Sequence, residues 1–395
     1  MRFRILALAI ALLFVLPLGG RCMELDLTTP APPRAVPQLS SGALLDAPPM
    51  KLDCAAAMLL EAESGQILFE FNADSQRAVA SVTKLMTILL TLEAIDSGRL
   101  ALEQQVVISK EAAGMGGSQV LLDVGETQSV SLLLKSMIVG SANDAAVALA
   151  EALYGSEALC CAKMNERAQE LGMADTHFVN CTGLPVDGQH TTTRDVARMS
   201  IAVFGHSLYY AYSQIWLDEI DHGDGRMTQL TNTNKLIRLL DGCDGGKTGS
   251  TNEAGYCISA TAKRGGMRLI AVVLGASSGA KRFDIAKEML NYGFANYRLY
   301  PVAQRGARIR GEIRVLGGDL TLLIQKGDEQ NVRLTPTLPE TVDAPVDLGA
   351  KIGSVSIEIG DKTVAEIPIL AAEAVPGKGL KPSLRRLILH WPLTE

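Results

Sequence analysis

The feature that most constrains this chain is a change in its pattern of apolar residues near Pro301. Before this point, helical apolar stripes alternate with short apolar runs typical of strands. After it, only short alternating or apolar segments remain, separated by Gly and Pro. Helices mixed with strands, followed by strands alone, predict an α+β domain and then a small β-sandwich-like domain. We place these domains at residues 52–299 and 300–372.

The first domain is predicted to combine an antiparallel sheet with helices. Residues 55–60 and 66–71 indicate two strands around a turn, and 256–262 with 268–274 indicate a hairpin. A helix is expected to begin near Ser81, with Leu85, Ile88, Leu89 and Leu92 on one buried stripe. Further helices are predicted over 131–139, 144–154, 199–204 and 281–297.

The first 22 residues have the layout of a secretory signal peptide. Arg2 and Arg4 precede an apolar run over 5–18, and small residues follow it. The run, at about fourteen residues, is short for a bilayer span, although an uncleaved N-terminal anchor stays open. Residues 23–51 are rich in proline and predict an extended linker. The sequence therefore predicts an exported protein.

The last residues, 373–395, predict a basic amphipathic tail. One helical stripe would carry the apolar residues Leu380, Leu384, Leu387, Ile388 and Trp391, with basic residues around it. Such a helix can lie in an anionic membrane surface. Packing of the same stripe against the β domain is nearly as compatible with the pattern, so both interpretations stay open.

Charge and residue usage exclude some classes of function. The chain has 37 Lys and Arg against 43 Asp and Glu, a net charge of -6, so no bulk positive field is available to hold nucleic acid. The seven cysteines show no disulfide framework, and the chain has no CxxC or HExxH element. We therefore expect buried free thiols, no metal, no other cofactor and no nucleic-acid partner.

Three short elements carry side chains that suit nucleophilic catalysis: Ser81-Val82-Thr83-Lys84, Ser141-Ala142-Asn143 and Lys247-Thr248-Gly249. The first places a serine and a lysine on one face of a predicted helix, so a nucleophile and its base can touch. The third leads into a predicted strand pair, which would put its lysine and its hydroxyl along an open strand edge facing a cleft. Its glycine would allow close approach of a substrate backbone. Each element alone is weak evidence for a catalytic site, because the chain also holds an SxxK at 278–281 and an SxN at 250–252.

In their order and context, the three elements resemble those of the serine D-Ala-D-Ala carboxypeptidases, the low-molecular-mass penicillin-binding proteins. The starts of the elements are 60 and then 106 residues apart, in the order SxxK, SxN and KTG. The resemblance covers roughly residues 52–299, and the β domain and amphipathic tail also match what this family carries. It implies a β-lactamase/transpeptidase-like fold in which an antiparallel sheet is flanked by helices.

The resemblance implies a chemical step for three residues. Ser81 would attack the substrate and form an acyl-enzyme, with Lys84 as its base. Lys84 would need a neutral amine, which takes a shift of roughly three pKa units from the free value. Ser141 would pass a proton to the leaving D-alanine.

The resemblance also implies the groups that bind substrate. Asn143 would hold the substrate peptide, and Lys247 with Thr248 would bind its terminal carboxylate beside Gly249. The backbone N–H groups of Ser81 and Ser250 would form the oxyanion hole. The implied partners are peptidoglycan stem peptides ending in D-Ala-D-Ala, β-lactam antibiotics that acylate the serine, and the outer face of the cytoplasmic membrane, contacted through the tail.

Two alternatives stay open. A class A β-lactamase would need a deacylating Glu in an ExxxN element between SxN and KTG, and no Glu in that interval stands four residues before an Asn. A penicillin-binding sensor or scaffold would be acylated without turning over substrate, and such sensors usually carry a transmembrane signalling half. His190 is interpreted as a structural residue.

Overall fold

The structure is a computed structural model that describes residues 37–40, 50, 52–303, 308–310, 313–314, 320–339, 342–371, 374 and 376–377. The predicted signal peptide over 1–22 and the apolar stripe of the predicted tail lie outside the described residues. Most of the predicted Pro-rich linker also lies outside them.

The first domain mixes helices with strands, as predicted. In chain order its elements are β1 (Ala56–Glu61), β2 (Ile67–Phe71), α1 (Lys84–Asp96), β3 (Gln105–Val107), α2 (Lys110–Ala113), β4 (Thr127–Ser129), α3 (Val130–Val139), α4 (Asn143–Tyr154), α5 (Glu157–Glu170), α6 (Thr193–Phe204), α7 (Ser207–Ser213), β5 (Leu217–Asp221), β6 (Met227–Thr231), α8 (Leu236–Leu239), β7 (Cys243–Thr251), β8 (Gly255–Arg264), β9 (Met267–Ala276) and α9 (Gly279–Asn296).

The main sheet of this domain is antiparallel, with the strand order β2-β1-β9-β8-β7. Side chains of a strand alternate between its two faces, so one strand contributes to two cores. In β1, Met58 and Leu60 join a core that contains α1 and α6, whereas Ala57 and Leu59 join a core that contains α9. The sheet is therefore covered on both faces, and β7 is its edge strand.

The helix predicted to begin at Ser81 is α1, preceded by a 3-10 turn over Ala80–Thr83. The predicted stripe of Leu85, Ile88, Leu89 and Leu92 is fully buried, and most of the opposite face is buried as well. A helix that is apolar on all sides lies inside a domain rather than on its surface. No single helix among the described residues is long and apolar enough to cross a membrane. Helices α4 and α5 reach the required length and apolar composition only when they are taken together, and the pair is bent by 81°.

The second domain consists of strands and one 3-10 turn over Asp328–Asn331 in its described residues. Its strands are β10 (Tyr297–Ala303), β11 (Arg308–Arg310), β12 (Ile313–Arg314), β13 (Leu320–Gln325), β14 (Val332–Thr337), β15 (Lys351–Ile359) and β16 (Lys362–Leu370). They form a three-stranded sheet, β14-β15-β16, and the pairs β10-β13 and β11-β12, all antiparallel. The predicted all-β character is confirmed.

Part of the predicted extended linker pairs with the first domain. Ser40 donates its N–H to the Gly65 carbonyl at 3.1 Å and accepts the N–H of Ile67 at 2.9 Å. Because β2 is the other edge strand of the sheet, its backbone groups on that side are open to such pairing. Leu39 packs against the core beside it. Proline content predicts an extended chain, and an extended chain can also add to a sheet edge.

Candidate active site

The predicted nucleophile and base lie in contact at the start of α1. The Nζ atom of Lys84 is 2.9 Å from the Oγ atom of Ser81 and donates to the Thr182 carbonyl at 2.6 Å. Lys84 is fully buried, whereas Ser81 is half-buried. Burial lowers the pKa of Lys84 from 10.5 to about 7, mainly because the charged amine loses its hydration. A large fraction of this amine is therefore neutral at neutral pH and can accept the serine proton.

The Thr182 carbonyl reaches Lys84 because the loop over 180–184 packs tightly against the 3-10 turn. Gly183 has φ +81, and a Cβ atom on it would lie 1.9 Å from the carbonyl oxygen of Ala80. Only glycine tolerates both the backbone conformation and this close approach. The Oδ1 atom of Asn180 accepts the Gly183 N–H at 2.7 Å and fixes the loop from within.

A second lysine contacts the serine of the second element. Ser141 lies between α3 and α4 with φ 63, and its Oγ atom accepts a hydrogen bond from Lys247 Nζ at 2.7 Å. Lys247 also donates to the Thr248 carbonyl at 2.9 Å. Burial, then the charges of Lys84 and Arg282, lower the pKa of Lys247 well below its usual value. Ser141 thus contacts the KTG element, and the effect of the Lys84 charge on Lys247 indicates that the two amines lie near each other.

Asn143 is the first residue of α4 and is held by backbone carbonyls. Its N–H donates to Ser118 at 2.7 Å, and its Nδ2 atom donates to Gly116 at 2.6 Å. The Oδ1 atom of Asn143 is buried and has no partner among the described residues. Buried polar atoms without a partner are rare in proteins. This oxygen is therefore available to an N–H group of a bound molecule.

The KTG element lies on β7, the edge strand of the sheet, in agreement with the predicted strand edge. A Cβ atom on Gly249 would lie 2.7 Å from the backbone nitrogen of Ser81, so glycine permits this contact between β7 and the 3-10 turn. Ser250 follows on the same strand and is exposed. The strand therefore runs directly beside the nucleophile, and Thr248 is buried next to Lys247.

Two further side chains hold β7 in place, one from α7 and one from the segment between β6 and α8. The Tyr209 hydroxyl accepts the Gly246 N–H at 3.0 Å and lies 3.1 Å from the Gly246 carbonyl oxygen. Asn234 donates to the Gly245 carbonyl at 3.0 Å. These hydrogen bonds hold the strand segment that precedes Lys247 and thereby set the position of its amine.

Sequence reasoning missed two contributors to this cluster, the carbonyl of Thr182 and the guanidinium of Arg282. Arg282 donates to the Gly249 carbonyl at 3.0 Å, and its Nε atom is buried without a partner among the described residues. A backbone carbonyl leaves no signal in a sequence. Arg282 belongs to no motif, and the only available signal was a cation near the start of a predicted helix that packs on the sheet.

Other candidate residues have structural contacts. Ser278 of the second SxxK is the N-cap of α9 and accepts the N–H of Lys281 at 3.2 Å. His190 pairs with His177 in an isolated bridge, and its Nδ1 atom is 2.8 Å from the Gly188 carbonyl oxygen. The contacts of His190 agree with its interpretation as a structural residue.

The free cysteines and a cavity lined by other residues provide no second candidate site among the described residues. Cys54, Cys160, Cys161, Cys181, Cys243 and Cys257 are free thiols, and all but Cys54 are buried. No group of three or more His, Cys, Asp or Glu among the described residues is arranged to hold a metal. A cavity of about 610 Å³ is lined by residues such as Arg264, Phe294 and Lys326, and none of the cluster residues above lines it.

Comparison with protein families matches both domains. A family described as D-alanyl-D-alanine carboxypeptidase matches residues 44–278, and one described as penicillin-binding protein 5, C-terminal domain, matches 313–377. Among curated proteins, the D-alanyl-D-alanine carboxypeptidase DacF of Bacillus subtilis (strain 168) is 34% identical over 348 residues, which cover 85% of this chain and 89% of that protein.

Solved structures lead to the same group of proteins. Penicillin binding protein 5 from Haemophilus influenzae superposes with a TM-score of 0.75 at 28% identity, covering 84% of this chain and 99% of that one. Penicillin-Binding Protein D2 from Listeria monocytogenes, in its ampicillin bound form, has a TM-score of 0.57 at 35% identity, covering 62% of this chain and 100% of that one. The predicted fold class, a β-lactamase/transpeptidase-like domain followed by a small β domain, is confirmed.

Proposed function

The chain belongs to the D-alanyl-D-alanine carboxypeptidase family, and from this premise we propose that Ser81 is the nucleophile with which it removes the terminal D-alanine from peptidoglycan pentapeptide stems. The observation that carries this proposal is the 2.9 Å contact between Ser81 Oγ and Lys84 Nζ. It joins a hydroxyl to a buried amine whose pKa is lowered to about 7. A base poised near the working pH suits proton transfer from a serine.

In acylation, Ser81 loses its proton to Lys84 while its oxygen attacks the carbonyl carbon of the penultimate D-alanine. The bond to the terminal D-alanine nitrogen then breaks, and that nitrogen needs a proton. Ser141 is suited to deliver it, because its hydroxyl contacts Lys247 at 2.7 Å and can be reprotonated from the cluster of amines. The backbone N–H groups of Ser81 and Ser250 are proposed to stabilise the oxyanion.

Substrate binding is proposed to use the groups that lack protein partners or carry positive charge. Asn143 Oδ1 is free to accept an N–H of the stem peptide. Lys247, the Thr248 hydroxyl and Arg282 are suited to the terminal carboxylate of D-Ala-D-Ala. An anion at this place would favour the charged form of Lys247 and so oppose the effect of burial on its pKa.

A β-lactam carries a carboxylate and an acyl group in a similar arrangement, so we propose that it acylates Ser81. In the second half of the reaction, water gives a proton to Lys84, the nearest base, and attacks the acyl carbon. The ester bond to Ser81 then breaks, and the serine oxygen takes the proton back from Lys84. The acyl-enzyme formed with a β-lactam is expected to hydrolyse slowly, because the chain has no ExxxN glutamate between its SxN and KTG elements.

The proposal is tested by measuring D-alanine release from diacyl-L-Lys-D-Ala-D-Ala together with labelling by a fluorescent penicillin. Ser81→Ala should lose both release and label. Ser278→Ala is the matched control, because it removes the serine of the other SxxK and only a helix cap, at a cost of about 1 kcal/mol in stability. It should keep both activities.

Three outcomes would contradict the proposal in different ways. Release that persists in Ser81→Ala would remove this serine from the chemistry. Labelling of wild type without release would favour a sensor or scaffold, or an enzyme that needs polymeric substrate. Rapid loss of label, with hydrolysed penicillin accumulating, would favour the β-lactamase alternative.

The proposal extends to the organisation and location of the protein. The predicted domains, 52–299 for the peptidase and 300–372 for the β domain, are supported by the end of α9 at Asn296 and the start of β10 at Tyr297. Export is supported by the signal-like pattern over 1–22. Contact with the outer face of the cytoplasmic membrane is supported by the apolar stripe and basic residues over 373–395.

A further inference from the structure

One loop beside the candidate active site is hydrogen-bonded to Asn143 and Asp144, the first two residues of α4. This loop, residues 116–122, is named here the cleft loop. Asn143 donates to the carbonyls of Ser118 and Gly116, and Asp144 accepts hydrogen bonds from the N–H groups of Val120 at 3.0 Å and Leu122 at 3.2 Å. The two neighbouring residues therefore hold opposite ends of the same loop.

The carboxylate of Asp144 acts on a strained segment. Leu121 has φ 65, a left-handed conformation that costs a non-glycine residue of order 1 kcal/mol or more. This conformation lets the N–H groups on both sides of it converge on one anion, as in an anion-binding nest. Asp144 is fully buried, so its ionised form depends on these N–H donors. The anion of the nest is thus a side chain of the protein itself.

Helix capping alone does not account for Asp144. Its Oδ1 atom accepts the N–H of Ala145, its neighbour in α4, at 2.9 Å. Its Oδ2 atom accepts from Val120 and Leu122, which precede it by more than twenty residues. A cap needs only donors of its own helix. The second oxygen therefore serves the loop rather than the helix.

We propose that Asp144 is a positioning residue: its carboxylate fixes the cleft loop, and the fixed loop carbonyls hold the Asn143 amide so that its free oxygen faces the substrate. This inference rests on the proposed function of Asn143. Because Nδ2 is occupied by the Gly116 carbonyl at 2.6 Å, the amide has one orientation with Oδ1 left for a ligand. If the loop lost its hydrogen bonds to Asp144, the Asn143 amide would also lose the carbonyl that fixes its orientation.

The test uses Asp144→Ala, Asp144→Asn and a matched control, Glu61→Gln. Glu61 is also a buried carboxylate that accepts backbone N–H groups, those of Glu63 and Ser64. It lies on β1, three strands from β7 in the sheet, or roughly 14 Å at the usual spacing. The control therefore reproduces the loss of a buried carboxylate without touching the cleft.

Two measurements are made on each full-length variant. Hydrogen exchange of the peptide that covers the cleft loop reports whether Val120 and Leu122 lose protection. Penicillin acylation, followed over time and normalised to the fraction that finally labels, gives the rate constant per active molecule. A misplacement of about 1 Å in a site can cost roughly a hundredfold in rate.

We expect Asp144→Ala to lose protection in the cleft loop and to acylate roughly tenfold to a hundredfold more slowly per active molecule. Asp144→Asn keeps one oxygen for the loop and should fall between Asp144→Ala and wild type. Glu61→Gln should acylate at the wild-type rate. Wild-type labelling together with D-alanine release from diacyl-L-Lys-D-Ala-D-Ala shows that the proposed function holds, so failure of the inference is separable from failure of that function.

Two results would overturn the inference. One is unchanged protection of the cleft loop in Asp144→Ala. The other is a smaller labelled fraction that acylates at the wild-type rate, because that pattern describes lost folding and not lost positioning.

Discussion

Replacing Lys84, the proposed base, by an apolar residue should abolish acylation and stabilise the fold. Lys84 is fully buried, and its pKa falls from 10.5 to about 7 on folding. This difference corresponds to about 5 kcal/mol by which folding disfavours the protonated amine. Lys84→Met removes the amine and keeps an unbranched side chain. It also leaves the Thr182 carbonyl without its donor, at a cost of about 1–3 kcal/mol.

The net effect below pH 7 is an expected gain of roughly 2–4 kcal/mol in the free energy of unfolding. For a domain of this size the gain raises Tm by about 5–10 °C. The effect depends on pH in a definite direction. Between pH 7 and 10.5 the unfolded chain holds a proton on Lys84 that the folded protein lacks, so wild-type stability rises with pH in this window. The advantage of Lys84→Met should therefore shrink and then reverse towards pH 10.5.

The assay is thermal unfolding of wild type and Lys84→Met at pH 6, 7, 8 and 9, with fluorescent penicillin labelling of both. Lys281→Met is the matched control, because Lys281 is the lysine of the second SxxK and is exposed. It should change Tm little at any pH. A natively folded Lys84→Met that melts below wild type at pH 6 would refute the reasoning, since it would mean that the charged amine is well stabilised where it lies.

Three further outcomes follow from the same structure. The rate of penicillin acylation should fall as pH drops through about 7, because protonation of Lys84 removes the base; a flat profile from pH 5 to 8 would contradict this. Gly249→Ala should slow acylation more than tenfold and cost roughly 1–3 kcal/mol in stability, since its Cβ would lie 2.7 Å from Ser81 N, whereas Gly279→Ala, with only ordinary contacts, should do neither. Leu384→Asp with Leu387→Asp should remove binding of the full chain to anionic vesicles; unchanged co-sedimentation would favour packing of the tail on the β domain.

Much of the framework could be predicted from local patterns. The hairpin at Gly265-Gly266 and the edge position of the KTG strand follow from turn residues and alternation, and the structure has them as β8, β9 and β7. The position of the helix at Ser81 could be predicted, but the extent of its burial could not. Its apolar stripe indicated one buried face, whereas helices on several sides bury nearly all of it.

The parts of the site that escaped prediction are those that depend on tertiary contact. The Thr182 carbonyl reaches Lys84 across 98 positions of sequence, and Arg282 reaches Gly249 across 33. Neither the cleft loop nor the loop over 180–184 contains a motif, because their contributions are backbone groups available to any residue. A pattern of side chains can indicate a candidate nucleophile and a candidate base, but not the carbonyls that fix them.

Backbone strain shows why these unpredicted contacts matter. Ala80, Leu121 and Ser141 have φ between 49 and 65. Ala80 precedes Ser81, Ser141 is itself a residue of the proposed site, and Leu121 lies in the cleft loop. Conformations of this kind cost of order 1–3 kcal/mol each and persist only where neighbours enforce them. The neighbours are identifiable: Gly183 packs against Ala80, Lys247 bonds to Ser141, and the Asp144 carboxylate accepts the N–H groups beside Leu121. Weakening any of them lets the strained residue relax before the sheet unfolds, so such substitutions should lower acylation more than they lower stability.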